Sequence, residues 1–423
     1  METFPKIPEP VILEHRLAEM MQDQRRTGWP FDVKKAQELE NTLLNRLEEL
    51  REATQAICSY VPGNSFTPKR DNTKQGYVKG CEMQRLKEFN ASSREHIAWW
   101  FKTFQDWKPN KKTPTGKAVI DETVLKEIGT DEALLFLEIL IIQKKLGMLS
   151  QGSNAWLKLV KNGRLHHSCF IGAATHRMAH ATPNLAQVSS DKDCRELFIT
   201  KPDWKLIDSD LAGIELRMFA HYLARYDGGR YADILLNGDI HQENADKIGI
   251  TRRQVKTVTY CFLYGGGNQK LGLSYDNMLP PEKAKKKGAE IREAYMEAIP
   301  GLKDLVEATK RKATEEGYIR SIDGREIRVN SGHKALNFLL QSSAGVVAKR
   351  WCLITDENLK ISNFEHERYA FVHDEQVLAS PPSLAKYVAF TCKMSAAQAG
   401  EYYKLRIPIA ADANIGDNWA EVH

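Results

Sequence analysis

Apolar residues along this chain change their spacing several times, and each change marks an element. Residues 12–21 carry them at helical spacing until Gly28-Trp29-Pro30 breaks the pattern. Asp32 is placed to cap a second helix, in which Ala36, Leu39, Leu43, Leu47 and Leu50 form one stripe. Lys34, Lys35, Glu38, Arg46 and Glu49 occupy its solvated face. Residues 61–90 have no periodicity and are rich in Gly, Pro and Lys, which predicts a loop or flexible tip. Lys69, Arg70, Lys74 and Lys79 there suit phosphate contacts as well as they suit plain solvation. Helices are predicted over 92–104, 121–128 and 133–149, with a basic turn at 111–117. The first third is thus helical, basic at its loops and without a catalytic constellation, as a clamp or arm would be.

The texture changes after Arg164. Residues 206–224, LIDSDLAGIELRMFAHYLA, read as a buried strand that delivers Asp208 and Asp210 at its C-terminal end. A turn at Leu211-Ala212-Gly213 and an apolar-faced helix follow. A carboxylate at the end of a core strand suits a hard cation, but one carboxylate does not make a site. The partner comes late in the chain. Residues 369–378 read as two strands around a polar turn with Asp374 and Glu375 at the tip. Asp210 and Asp374 together could hold two divalent ions, the arrangement that activates an attacking oxygen and stabilises a leaving one.

Between these acids runs a helix closed by Gly265-Gly266-Gly267. At about 100° per residue, Arg252, Lys256, Tyr260 and Tyr264 drift slowly along one side of it. Two cations and then two rings suit a triphosphate, a sugar and a base. Gly238-Asp239-Ile240-His241 starts the helix before it, and residues 317–328 read as a hairpin. A later helix carries Asn337 and Gln341 one turn apart on one face.

Composition alters this picture little. A chain of 423 residues exceeds one core's usual size, and a formal net charge of +5 is compatible with nucleic acid without requiring it. Seven scattered cysteines include no CxxC pair, which argues against a zinc or redox motif and for a reducing compartment. The N-terminus has no signal or transit pattern, and the most apolar run, 133–142, contains Glu138, so no membrane association is expected.

With these motifs in place, the chain resembles DNA polymerases of family A, the DNA polymerase I type, and most closely the replicative enzymes of T-odd podophages. DLAGIELR (210–217) resembles motif A. RRQVKTVTYCFLYG (252–265), with Arg-x3-Lys-x7-Tyr-Gly spacing, resembles motif B, and VHDE (372–375) resembles motif C. The resemblance covers nearly the whole chain and implies an α+β right hand: a palm with an antiparallel sheet, and helical fingers and thumb. It divides the chain into an N-terminal segment and thumb (1–160), palm (161–235), fingers (236–335) and palm again (336–423).

It also implies residue roles. Asp210 and Asp374 hold two Mg²⁺ ions, with Mn²⁺ able to substitute, and Leu211 lends its carbonyl. Asp210 is preferred to Asp208 because Glu215 follows it at the motif's spacing. Glu215 excludes a ribose 2′-OH. Arg252, Lys256 and His241 hold the triphosphate, and Lys256 is a proton donor to leaving pyrophosphate. Tyr260 packs near the sugar, and as Tyr rather than Phe implies ready acceptance of dideoxynucleotides. Tyr264 covers the templating position. Arg177, Asn184, Gln187, Asn337 and Gln341 read the minor groove, while His373 and Glu375 sit by the primer terminus.

The implied activity is template-directed transfer from dNTP to a primer 3′-OH, by a monomer acting on primer–template DNA in the cytoplasm, that of the host if the chain is phage-encoded. The usual Thr-Gly-Arg reads Thr175-His176-Arg177, and His333 stands one turn before Asn337 where bacterial enzymes often have Arg. No 3′–5′ exonuclease sequence precedes the thumb, so proofreading is not expected in this chain and is either lost or on a separate polypeptide. A separate exonuclease or processivity factor stays open as a partner. Residues 61–90 are much shorter than the podophage insertion that binds a processivity factor, which speaks against thioredoxin. Two rivals remain. A single-subunit RNA polymerase would share the acids and the Arg/Lys helix but is disfavoured by Glu215. An inactive DNA-binding clamp is disfavoured by the intact Asp210, Asp374, Arg252 and Lys256. A two-metal nuclease would have no need of the tyrosine helix.

Overall fold

Lys205–Leu211, the strand that carries Asp208 and Asp210, is an interior strand of a four-stranded antiparallel sheet in the computed structural model. The structure describes residues 7–109, 111–113, 115–277 and 279–423. The hairpin Glu367–Val372 and Glu375–Ser380 lies on one side of this strand, and Ala411–Gly416 on the other. Both ladders run without a register shift, which sets Asp210 opposite Glu375 on one neighbour and opposite Asp412 on the other. Helix Pro382–Tyr402 packs on this sheet and on the long helix Ala335–Ile361, which is buried on nearly all sides.

Contacts divide the chain into two units, Lys34–Lys158 and Met1–Val33 with Leu159–His423. In the first, helix Val33–Ile57 buries Ala36, Leu43, Leu47 and Leu50, the expected stripe. Trp100, Phe101 and Phe136 interlock edge to face at 5.6 and 5.8 Å. Arg46 forks onto Glu138 with Nε and Nη2 at 2.7 and 3.1 Å. Residues 61–90 correct the expectation of a loop. Tyr60–Phe66 and Met83–Glu88 pair as an antiparallel hairpin, irregular between Pro62 and Ser65. Both strands are largely exposed, so no alternation of burial marks them in the sequence. Lys69, Arg70, Lys74 and Lys79 lie exposed in their connection.

In the second unit, helix Ile214–Asp227 leaves the acid strand, and six helices from Arg230 to Glu316 follow it. Two of these, Asn268–Tyr275 and Pro281–Ala298, meet backbone to backbone. A Cβ at Gly288 would lie 1.7 Å from the Asn268 carbonyl oxygen, and one at Gly272 would lie 1.9 Å from that of Ala284. The first helix runs over Glu9–Thr27, longer than its apolar pattern predicts, and belongs to this unit rather than to the arm. No described helix is long and apolar enough to cross a membrane.

An interior ion cluster ties that first helix down. Lys349, 1 % exposed, places Nζ 2.7 and 2.9 Å from the Glu14 carboxylate, and Arg325 bonds both Glu14 and Asp323. Removing one partner strands a buried charge, so Glu14→Ala is expected to lower unfolding free energy by roughly 3–5 kcal/mol. Urea titration of Glu14→Ala beside the double variant Glu14→Leu/Lys349→Met checks this. The double variant is expected to lose less, and equal losses would mean that charge is not the cause.

Candidate active site

The strand register collects carboxylates at one end of the sheet. His373 and Asp374 form a two-residue turn closed by the Val372–Glu375 pair, and the Leu211 amide donates to the Asp374 carbonyl at 3.0 Å. Motif residues 163 positions apart in sequence are thereby fixed side by side. His373 takes a left-handed φ of 57°, which costs a non-glycine residue about 1–2 kcal/mol and is the kind of strain retained at functional sites.

Burial first, then Asp374 and the other nearby carboxylates, push the Asp210 carboxyl up to about 8. Asp374 is pushed up to about 6, by burial and then by Glu215. Among the described residues no side chain makes an ion pair or hydrogen bond with the Asp210 carboxylate. Hard oxygen donors crowded together without a protein cation on Asp210 fit a divalent ion.

Asp208 faces a different environment. It is 4 % exposed, and it and Glu375 are both raised, chiefly by burial. His423 Nδ1 lies 3.6 Å from Asp208 and 3.7 Å from Glu375. The Trp419 indole donates to Glu375 Oε1 at 3.0 Å, and the Arg195 guanidinium sits 4.8 Å above the Trp419 ring. Asp208, Glu375 and His423 bring ligand-type atoms within 4.8 Å of one another. Protein side chains thus contact and orient this second cluster, whereas among the described residues none does so for the Asp210 carboxylate.

Helix Arg252–Leu263 begins with a Thr251–Gln254 capping box and buries Val255, Val258, Cys261 and Phe262. Arg252 and Lys256 remain exposed on its other side. The Tyr260 and Tyr264 rings follow, stacked with centroids 6.4 Å apart, and His241 of the preceding helix lies 6.4 Å from Tyr260. Arg177 Nη2 and the Tyr264 hydroxyl both donate to Glu215 Oε1, at 2.6 and 3.0 Å.

A sequence model of DNA polymerase family A matches residues 69–421. The chain belongs to DNA polymerase family A. The DNA-directed DNA polymerases of Enterobacteria phage T3 and Escherichia phage T7 are each 32 % identical to it over 98 % of this chain and 70 % of theirs. DNA polymerase I of Geobacillus stearothermophilus is 24 % identical, over 96 % of this chain and 49 % of its own. Among solved structures, the POL domain of Pol1 from M. smegmatis, in complex with DNA primer-template and dNTP, superposes with a TM-score of 0.75 at 19 % identity, over 97 % of this chain and 70 % of that one. The polymerase has the α+β fold of the family's polymerase domain and is a DNA-directed DNA polymerase, a nucleotidyltransferase that carries out template-directed DNA synthesis.

The polymerase brings Asp210, Leu211, Asp374 and Glu375 together on the sheet, and Arg177, Glu215 and Tyr264 in one hydrogen-bonded group. His373 packs against His180 at 5.7 Å, and burial, then Arg177, lowers its imidazole below the usual value. Burial lowers His241 likewise. Asn337 donates from Nδ2 to the Leu263 carbonyl at 2.8 Å, and Gln341 is half-buried one turn further along. Asn184 gives its side-chain oxygen to the Ala186 amide as a cap, with Gln187 exposed at the end of that short turn. Among the described residues no hydrogen bond joins either to the acids.

The sequence reading missed Asp239. It caps helix Ile240–Ile248 through the His241 and Gln242 amides and accepts Arg252 Nε at 2.7 Å. That hydrogen bond holds its carboxyl below the usual range. The cap position in Gly-Asp-Ile-His was the available signal. Trp419 and His423 carried none, because their partners are remote in sequence.

The raised acids give a pH prediction. An unfolded aspartate loses its proton near pH ~4, while folded Asp210 keeps one until about 8. Across that window the folded state binds more protons, so stability falls as pH rises. Melting temperature in chelator is therefore expected to drop between about pH 5 and about pH 8, and to drop less in Asp210→Asn. Mg²⁺ should stabilise more at the upper end. A wild-type slope equal to that of Asp210→Asn would refute this.

Proposed function

We propose that Asp210 and Asp374 hold two divalent cations, Mg²⁺ or in its place Mn²⁺, for attack of a primer 3′-OH on a dNTP α-phosphate. The observation that carries this is the Asp210 carboxylate, crowded by like charge at the end of an interior strand with no cationic partner among the described residues. When bound, such ions lower the barrier by activating the attacking oxygen and balancing charge on the leaving one.

The chain's own groups do the rest. Arg252, Lys256 and His241 take the triphosphate, with Asp239 aiming Arg252. As the 3′-OH gives up its proton to water and its oxygen bonds to the α-phosphorus, the bond from that phosphorus to the bridging oxygen breaks and Lys256 gives a proton to the departing pyrophosphate. Tyr260 packs on the sugar, Glu215 occupies the space of a 2′-OH, and Tyr264 stands at the templating position. Leu211 offers its carbonyl to a cation. Arg177, Asn184, Gln187, Asn337 and Gln341 take the minor groove of primer–template DNA, and His373 and Glu375 the primer end. In this reading residues 1–160 supply an N-terminal segment and thumb, 236–335 the fingers, and 161–235 with 336–423 the palm. Binding of DNA and dNTP by the M. smegmatis relative supports the reading.

Extension of a labelled primer with dNTPs or rNTPs tests it. Asp210→Asn is expected to abolish extension, and Asp208→Asn to leave measurable synthesis. Loss in Asp208→Asn alone would transfer the metal role to Asp208, and equal use of rNTPs would remove the sugar-excluding role of Glu215. Tyr260→Phe is expected to cut dideoxynucleotide incorporation relative to dNTP by at least roughly tenfold, the loss of one polar contact at the sugar. An unchanged ratio in competitive incorporation would show that Tyr260 does not sense the 3′ position.

A further inference from the structure

Glu215 can exclude a 2′-OH only if its carboxylate stays in place. A glutamate side chain has three rotatable bonds and, unheld, turns away from one added oxygen at little cost. A group that discriminates by position therefore needs a support that locks its rotamer. Two donors converge on one oxygen of Glu215, Arg177 Nη2 at 2.6 Å and the Tyr264 hydroxyl at 3.0 Å. The Arg177 contact is the shorter and is charge-assisted, between side chains only 18 % and 12 % exposed. Tyr264 is more exposed and sits just past the end of helix Arg252–Leu263.

Arg177 is itself held. His176 before it has φ 58°, and its Nδ1 meets Ser342 Oγ at 3.2 Å. Ser342 in turn donates to Ser321 at 3.0 Å. Arg177 lies along helix Ala335–Ile361 where that helix has Gly345. A Cβ there would come within 3.3 Å of Arg177 Cγ. The departure from Thr-Gly-Arg to Thr175-His176-Arg177 thus supplies an anchor that glycine could not.

We infer that Arg177 is a positioning residue for sugar selection: its guanidinium fixes the Glu215 carboxylate, so discrimination against ribonucleotides depends on a residue whose motif role is to touch the minor groove. The inference rests on the reading of Glu215 as the group that excludes the 2′-OH. It follows that a primer end which draws Arg177 away from Glu215 also loosens sugar selection.

Single-nucleotide incorporation by the full chain tests this, as the ratio of kcat/KM for a matched dNTP to that for its rNTP. Wild type is compared with Arg177→Ala, Arg177→Lys, Glu215→Ala and Arg177→Ala/Glu215→Ala. Loss of a groove contact lowers both efficiencies, but only loss of the positioning role moves their ratio. Arg177→Ala is expected to lower the ratio about tenfold, the scale of one hydrogen bond to a charged group. Arg177→Lys, which keeps the charge and preserves folding if alanine does not, is expected to fall between it and wild type. In the Glu215→Ala background, Arg177→Ala should change the ratio no further. An unchanged ratio in both Arg177 variants, with Glu215→Ala still relaxing selection, overturns the inference alone. An unchanged ratio in Glu215→Ala overturns the reading of Glu215, and the inference with it.

Discussion

Like charge held at close quarters is the constraint around which the second unit is built. Two carboxylates about 4 Å apart repel by roughly 4 kcal/mol at an effective dielectric constant near 20. The unbroken ladders of strand Lys205–Leu211 leave the chain no freedom to separate Asp210 from Glu375 and the turn that holds Asp374. The protein answers the repulsion unequally. Trp419 and His423 hold Glu375 and Asp208, with Arg195 stacked behind. Trp419 is kept in place by Trp29 and Phe198 at 4.9 and 5.3 Å. Among the described residues nothing comparable is supplied to Asp210. A fold that braces one pair of acids with its own side chains and, among the described residues, gives Asp210 no such partner leaves Asp210 suited to charge from outside.

The same contrast explains what could be read from sequence. Asp210, Glu215 and the Arg252–Tyr264 series were legible because each depends on spacing within one strand or helix. Asp374 was legible because a polar turn between two strand-like runs has one place for its acids. Asp208 could be set aside only by motif register. What separates it from Asp210 in the structure is His423, at 3.6 Å, and no local pattern announces that contact. Helix Glu9–Thr27 looked like part of the arm because the groups that bind Glu14 lie more than 300 residues away. The Tyr60–Phe66 hairpin was missed for a different reason. With both faces exposed, its strands are held by their own ladder and leave no alternation to find.

Helix Ala335–Ile361 links these parts mechanically. Along one rod it bonds the Leu263 carbonyl through Asn337, His176 through Ser342, Glu14 through Lys349 and the Cys392 carbonyl through Trp351. A helix buried nearly all round cannot rotate or slide without breaking many contacts at once. Groups that lean on it, Arg177 among them, keep a fixed relation to the end of the Arg252–Leu263 helix.

That rigidity bears on how a minor groove would be sensed. The acceptors common to all base pairs there call for donors from the protein. An amide such as Asn337 has two N–H donors, and one is already committed to the Leu263 carbonyl. The commitment fixes the plane of the amide and leaves a single N–H pointing one way. Arg177 is in the same condition, with one nitrogen given to Glu215 and, among the described residues, no hydrogen bond from the others of its fork. A donor held in this manner cannot swing to follow a displaced acceptor. In the proposed minor-groove role its hydrogen bond would be made at full strength to a correctly placed base edge and lost to a shifted one, so indifference to which bases are paired would coexist with sensitivity to whether they are paired well.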